Sequence, residues 1–375
     1  MSSTQTNVAP SFRKTTETFT AGAKSLSQRC FVSPEIFAKE QKKIFSAQWV
    51  LVGHQSQITR SGDYFLSEIA GENLIVVRDQ RSTIRGFYNV CRHRGTRLRE
   101  DQNGHTSAIQ CPYHAWTYAL DGRLLGAPHM DDVPGFDKAD YSLHPVHLGL
   151  WEGFIFVNLA DSPIPLDEWF APLAGKFSHW NLPKLRSAKR IDYDVQANWK
   201  LIFENYSECY HCPGVHPALS KLSPYDSAEN DLTGGPFLGG FMRITKGNSL
   251  TMSGKSCALP VGDFRDFHRI FYYSIFPNML LSLHPDYAML HQLRPLSPER
   301  TLIFCDWFFH PEAFERKDFK PEDAIEFWDI TNKQDWHVCE LSQQGIASRA
   351  YEPGPYSTRE SIPAAWDREY LRYVS

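Results

Sequence analysis

Two short pairs of cysteine and histidine, Cys91-Arg-His93 and Cys111-Pro-Tyr-His114, are separated by 17 residues, Arg94 to Gln110. Thiolates and imidazoles are metal ligands, and each pair is short enough to sit on one loop tip. A Rieske-type [2Fe-2S] centre needs two loops that each present one Cys and one His, because two thiolates hold one iron and two imidazoles hold the other. A tetrahedral zinc site can use the same four donors, but its usual spacing pairs Cys with Cys and His with His. Here each pair is mixed, and the one-residue gap in Cys91-Arg-His93 is tighter than a zinc knuckle. His105, inside the intervening stretch, reads as a solvated loop residue.

A second constellation runs from Asn198 to His216. Glu204, Glu208 and His211 follow at spacings of four and three, which on a helix share a face. His211 and His216 are five apart, so a continuous helix would aim their rings apart; Pro213-Gly214 is expected to end the helix between them and let both face one metal. Two imidazoles and one carboxylate on one face of a mononuclear Fe(II) leave positions open for O2. The third ligand must come from elsewhere in the chain. Glu208-x-x-His211 also has the form used in di-iron bundles, but those need a second such motif and the sequence has none.

Cys91-Arg-His93-Arg-Gly95 together with Cys111-Pro-Tyr-His114-Ala115-Trp116 resembles the cluster-binding pair of Rieske non-haem iron oxygenase α subunits, from about residue 40 to the end of the chain. Many members carry Gly where Ala115 stands. The resemblance implies a distal carboxylate on a late helix, in a pattern similar to Gln334-Asp335-Trp-His-Val-Cys-Glu340; this assigns Asp335 as the third iron ligand, with Asp329 as the alternative. It also implies a head-to-tail homotrimer in which the residue three before the first iron histidine, usually Asp and here Glu208, bridges the cluster of one subunit to the iron of the next.

The run Glu204-Asn-Tyr-Ser-Glu-Cys-Tyr-His-Cys212 is most similar to the subgroup that oxidises glycine betaine, carnitine and proline betaine, with Asn205 and Glu208 as its candidate catalytic residues. That likeness implies hydroxylation of a carbon next to a quaternary nitrogen and oxidative N-dealkylation, with O2 and electrons from a separate NAD(P)H-dependent flavin or iron-sulfur reductase. An aromatic-ring hydroxylase is the alternative enzyme. A pure electron carrier is disfavoured by the second constellation and by the length. A quaternary ammonium has no hydrogen to donate, so aromatic faces must hold it; Tyr206, Phe271, Tyr273, Trp307 and Phe309 are the candidates in the second half.

The rest of the chain must position these residues. It has 375 residues, 42% hydrophobic and 14% aromatic, enough for a large core in one or two domains. A net charge of -4 gives no basic field, which excludes nucleic acid and anionic membranes as expected partners. Eight cysteines without an export signal argue against a disulfide framework, and Cys30, Cys257, Cys305 and Cys339 read as small buried hydrophobes in a cytoplasmic protein. The apolar stretch Phe271 to Leu283 is broken by Pro277 and Asn278 and reads as strands.

The expected class is α+β. Residues 1–45 form an arm and a docking helix that begins at Ser33-Pro34, with the polar first ten residues frayed. Residues 46–160 form a small antiparallel β domain of Rieske type. Residues 161–375 form a larger catalytic domain, an antiparallel sheet flanked by helices of the helix-grip type, entered through the segment Asp161 to Asp167. Helices are expected near 194–212 and 321–347, with strands from 267 to 309 between them.

Overall fold

The computed structural model describes residues 11–261 and 268–375, so the expected fraying of the first ten residues lies outside it. By contact the chain forms two compact units, Lys39–Lys184 and Met1–Ala38 with Leu185–Ser375. The division falls after Lys184 and not near residue 160, because the ring of Trp151 stacks on Phe170 at 4.3 Å and meets Phe177 edge-on at 5.4 Å. That packing keeps the stretch after Asp161–Asp167 with the first unit.

The first unit is built of short antiparallel strands. Asp63–Ile69 and Glu72–Arg78 form a hairpin whose turn, Ala70-Gly71, has φ of 51° and 83°. Two positive φ values are what a tight two-residue hairpin needs to match strand twist. Ile84–Tyr88 and Asn103–His105 complete that sheet at its two edges. His147–Trp151, Phe154–Asn158 and Val50–His54 make a second sheet, and Ile109–Gln110, Thr117–Tyr118 and Leu124–Gly126 a third. Tyr64, Ile75, Phe87, Leu98, Ile109 and Trp116 share one apolar core with the thiols of Cys91 and Cys111.

The second unit contains an eight-stranded sheet, antiparallel throughout. Arg269–Ile275, Met279–Leu283, Ala288–Ser297 and Arg300–Phe309 follow one another across it, so the apolar stretch around Pro277 is indeed two strands. No helix among the described residues is long and apolar enough to cross a membrane. Helices Trp199–Tyr206, Glu322–Ile346 and Ser361–Val374 pack together. The long one fits the sequence expectation.

The helix expected over 194–212 is much shorter. Residues to Val195 complete the edge strand Arg186–Val195, and Asn198 then starts the helix by accepting the Lys200 N–H at 3.0 Å through its side chain. The amide of Asn198 donates to the carbonyls of Phe31 and Pro298, which pins this helix start inside the unit. Ser33 caps the helix Pro34–Glu40 as its sequence predicts, accepting from the Ile36 N–H at 3.3 Å.

Candidate metal centres

The two Cys/His loops of the first unit are built alike. In each, the Cys carbonyl accepts from the N–H four residues on, Gly95 or Ala115, and the Cys N–H donates to the carbonyl five residues on, Thr96 or Trp116. The chain reverses at a residue of positive φ, 74° at Gly95 and 57° at Ala115. An L-residue in that region costs about 1–2 kcal/mol, so Ala115 pays for a turn that Gly would adopt freely.

These turns bury Cys91 and Cys111 in the core and leave His93 exposed and His114 half-buried. The two imidazoles lie 4.8 Å apart, centroid to centroid, with His93 stacked on Trp116. Burial pushes the Cys91 thiol up, the Tyr118 hydroxyl at 3.3 Å opposes this, and Cys111 adds to the rise. Tyr118 carries no signal in the motif.

These four residues fit a two-iron cluster. The thiols are side by side and so are the imidazoles, and His114 Nδ1 is buried without a hydrogen-bond partner, as a nitrogen facing a metal would be. They do not gather as one ion requires: among the described residues, the only set of three or more donors that converges is His211, His216 and Asp335, with ligand atoms all within 4.8 Å. A single tetrahedral zinc is thereby disfavoured.

In the second unit the local geometry differs from the expected shared helical face. The helix ends at Tyr206, and Glu208 and His211 stand in the turn beyond it. Glu204 is half-buried instead, beside Lys200 and Asp367, and does not line the cavity described below. Pro213-Gly214 does not end a helix either; it lies inside a single turn, Cys212–Val215, that His211 and His216 flank. That turn brings the two rings to 5.2 Å. Its start also brings the Cα atoms of Cys209 and Cys212 to 5.0 Å, within bridging range, and these two form a disulfide that the cysteine count did not anticipate. Cys30, Cys305 and Cys339 are free and buried as expected, and Cys257 is free and half-buried.

Asp335 Oδ1 lies 2.7 Å from His216 Nε2 and 3.2 Å from His211 Nε2. The other ring nitrogens are held too: His211 Nδ1 by Glu208 Oε1 at 2.5 Å, and His216 Nδ1 by Gln334 Oε1 at 2.8 Å. Glu208 is itself fixed by the N–H groups of Tyr210 and His211. Fixing the distal nitrogen of each imidazole sets the tautomer and ring direction that metal ligation requires. Burial pushes His211 down, but Asp335 and Glu208 outweigh it and hold the ring up at about 10. Burial likewise opposes ionisation of Asp335, which its two histidines nevertheless hold below the usual carboxylate range. Two imidazoles and one carboxylate whose ligand atoms converge within 4.8 Å fit a mononuclear iron.

Asp329 points elsewhere, bonded to the Tyr193 hydroxyl at 2.9 Å and to Lys333 at 2.6 Å. On the long helix Trp328, Thr331, Asn332, Asp335 and Trp336 form the face that lines the cavity. This spacing was visible in the sequence.

The triad borders a cavity of about 100 Å³, also lined by Asn205, Tyr206 and Glu208. Of the aromatic candidates, Tyr206 lines it, whereas Phe271, Tyr273, Trp307 and Phe309 do not. Strand parity explains the miss: Phe271 and Tyr273 stack on one face of their strand, while Tyr272 between them faces the cavity. Tyr272 and Trp328 meet at 6.5 Å.

Comparison with known proteins follows the same division. Residues 48–137 match the Rieske [2Fe-2S] domain, and residues 182–375 match the ring hydroxylating alpha subunit catalytic domain. The chain is 35% identical to the glycine betaine monooxygenase oxygenase subunit of Chromohalobacter salexigens, covering 90% of this chain and 82% of that one. It is 30% identical to the carnitine monooxygenase oxygenase subunit of Escherichia coli, covering 87% and 85%. The crystal structure of the quaternary ammonium Rieske monooxygenase CntA with L-carnitine is similar at a TM-score of 0.80 and 26% identity, covering 94% of this chain and 96% of that one.

Proposed function

Because the chain belongs to the Rieske non-haem iron oxygenase α subunits, we propose that it hydroxylates a carbon beside the nitrogen of a quaternary ammonium compound such as glycine betaine. The observation that carries this reading is the cavity beside the triad, lined by the aromatic side chains of Tyr206, Tyr272, Trp328 and Trp336 and by the carboxylate of Glu208. A cation without N–H groups is held by such faces and charges, which an uncharged arene would not need. Relatives named for glycine betaine and carnitine support the same class.

Cys91 and Cys111 would hold one iron of the cluster and His93 and His114 the other, while His211, His216 and Asp335 would hold the mononuclear iron. The cluster supplies electrons and the mononuclear iron supplies O2 activation. The chain's own residues do the positioning. The ring faces orient the ammonium so that one methyl or methylene faces the triad, and Glu208 and Gln334 keep both imidazoles in the ligating tautomer. In a homotrimer, Glu208 would also reach a cluster imidazole of the next subunit and so join the two centres. A separate reductase feeds the cluster, and the protein acts in the cytoplasm.

Overall, O2, two electrons and two protons convert the C–H to C–OH and release water. The resulting carbinolamine then expels the tertiary amine and an aldehyde, with loss of one proton. The test is turnover of the iron-loaded protein, with reductant, on glycine betaine, carnitine, choline, benzoate and naphthalene. An aldehyde, formaldehyde where a methyl is lost, in step with O2 uptake from the ammonium compounds is the expected result. Hydroxylated arene with no aldehyde from the ammonium compounds would overturn the reading.

A further inference from the structure

The cavity wall carries one permanent cation among the described residues, Arg359. Every other basic lining group is an imidazole. His211 and His216 belong to the triad, and His291 is pushed down to about 4, burial outweighing Asn332 and Asp335, so it is neutral near pH 7. Arg359 has no ion-pair partner among the described residues. Its guanidinium is held over the ring of Tyr225 at 5.0 Å, and Tyr225 also lines the cavity. The two come from separate segments, Tyr225 from the turn Tyr225–Ser227 and Arg359 from the stretch just before the helix Ser361–Val374. A guanidinium held over a ring in this way, with no carboxylate among the described residues paired to it, can receive a carboxylate in two parallel hydrogen bonds.

We propose that Arg359 is a specificity-determining residue that seats the carboxylate of a zwitterionic substrate, so that the enzyme selects betaines bearing an acid group over choline, which has a hydroxyl in its place. This inference rests on the quaternary ammonium reading and deepens it. The same cavity then recognises opposite ends of one small molecule: ring faces take the ammonium and Arg359 takes the carboxylate. Anchoring both ends also fixes which carbon faces the triad, a gain in orientation as well as affinity.

The test is calorimetric titration of the intact protein and of Arg359→Gln and Arg359→Lys with glycine betaine, carnitine and choline, with KM for each measured alongside. The parent is expected to bind glycine betaine more tightly than choline. Arg359→Gln should lower that preference about 10- to 100-fold, the worth of a charge-assisted pair. Arg359→Lys should restore part of it, since the charge returns without the fork. Arg359 is half-buried, and the melting temperature of each variant shows that it is folded. A parent without preference for the carboxylate ligand, or an Arg359→Gln protein that keeps it, overturns the inference while leaving ammonium binding intact. A parent that binds none of the three ligands instead removes the substrate class, and the carboxylate seat falls with it.

Discussion

The two centres recruit their donors over very different lengths of chain. The first would draw all four from Cys91 to His114, on two loops that repeat one pattern of backbone hydrogen bonds. The second needs Asp335 to meet His216 across 119 residues of sequence, on a helix held by the packing of its whole unit. Burial differs as well: His93 is exposed and His114 half-buried in the first, while His211 is half-buried and His216 fully buried in the second. The difference teaches that the cluster loops are a local device, closed by their own backbone hydrogen bonds and a positive-φ residue, whereas the triad is a consequence of tertiary structure.

That difference sets how far each substitution reaches. The largest effect is expected at Asp335, because the other carboxylates are already engaged, Glu208 with His211 Nδ1 and the Tyr210 N–H and Asp329 with Tyr193 and Lys333. Asp335→Ala should abolish product and empty the mononuclear site, yet leave the cluster's absorbance unchanged. Asp329→Ala should keep both metals. Iron analysis and optical spectra of the two variants measure this, and the reverse ranking would move the ligand to Asp329.

A smaller effect is expected from Glu208→Gln. The amide can still meet His211 Nδ1, but the charge is gone. Lost partners of ligating histidines change activity or affinity by about 10- to 100-fold, so turnover should fall by that order with iron content preserved. Stopped-flow reoxidation of the reduced cluster locates the slow step. Loss of the mononuclear iron would instead make Glu208 a direct ligand.

The smallest effect separates the units by pH. His54, in the first unit, is pushed down to about 4 by burial, only partly offset by the Leu182 backbone. Its folded form resists protonation, so stability falls as pH drops from 6.5 toward 4. Asp367, in the second unit, is pushed up from 3.8 to about 7, burial outweighing Tyr356, Glu204, Lys200 and Arg368. Its neutral acid is favoured in the fold, so the stability it contributes is complete below 3.8 and is lost as pH rises through about 7. Hydrogen exchange across pH 4 to 8 should show the two units weakening at opposite ends, and Asp367→Asn should flatten only the alkaline side.

The same contrast explains what could be read from the sequence. The two Cys/His loops were legible because they close locally, although Tyr118 beside Cys91 was not. The His pair was legible too, although the wrong device was expected: Pro213 lies inside the turn between the histidines instead of stopping a helix. Glu204 was misplaced because helical periodicity was extended past Tyr206, where the chain leaves the helix. Asp335 came from family likeness, since nothing local marks a ligand this distant. Tyr272 and Trp328 were missed although strand parity and helical spacing both pointed to them, and Arg359 lies in an irregular stretch that has no periodicity to read.

The central claim, that one chain carries two iron centres of independent construction, is tested most directly by Cys91→Ser. Electron paramagnetic resonance and iron-to-sulfide analysis of the purified variant should show the cluster gone and the mononuclear iron retained, with ammonium binding intact. Loss of both metals from a soluble, folded variant would contradict it.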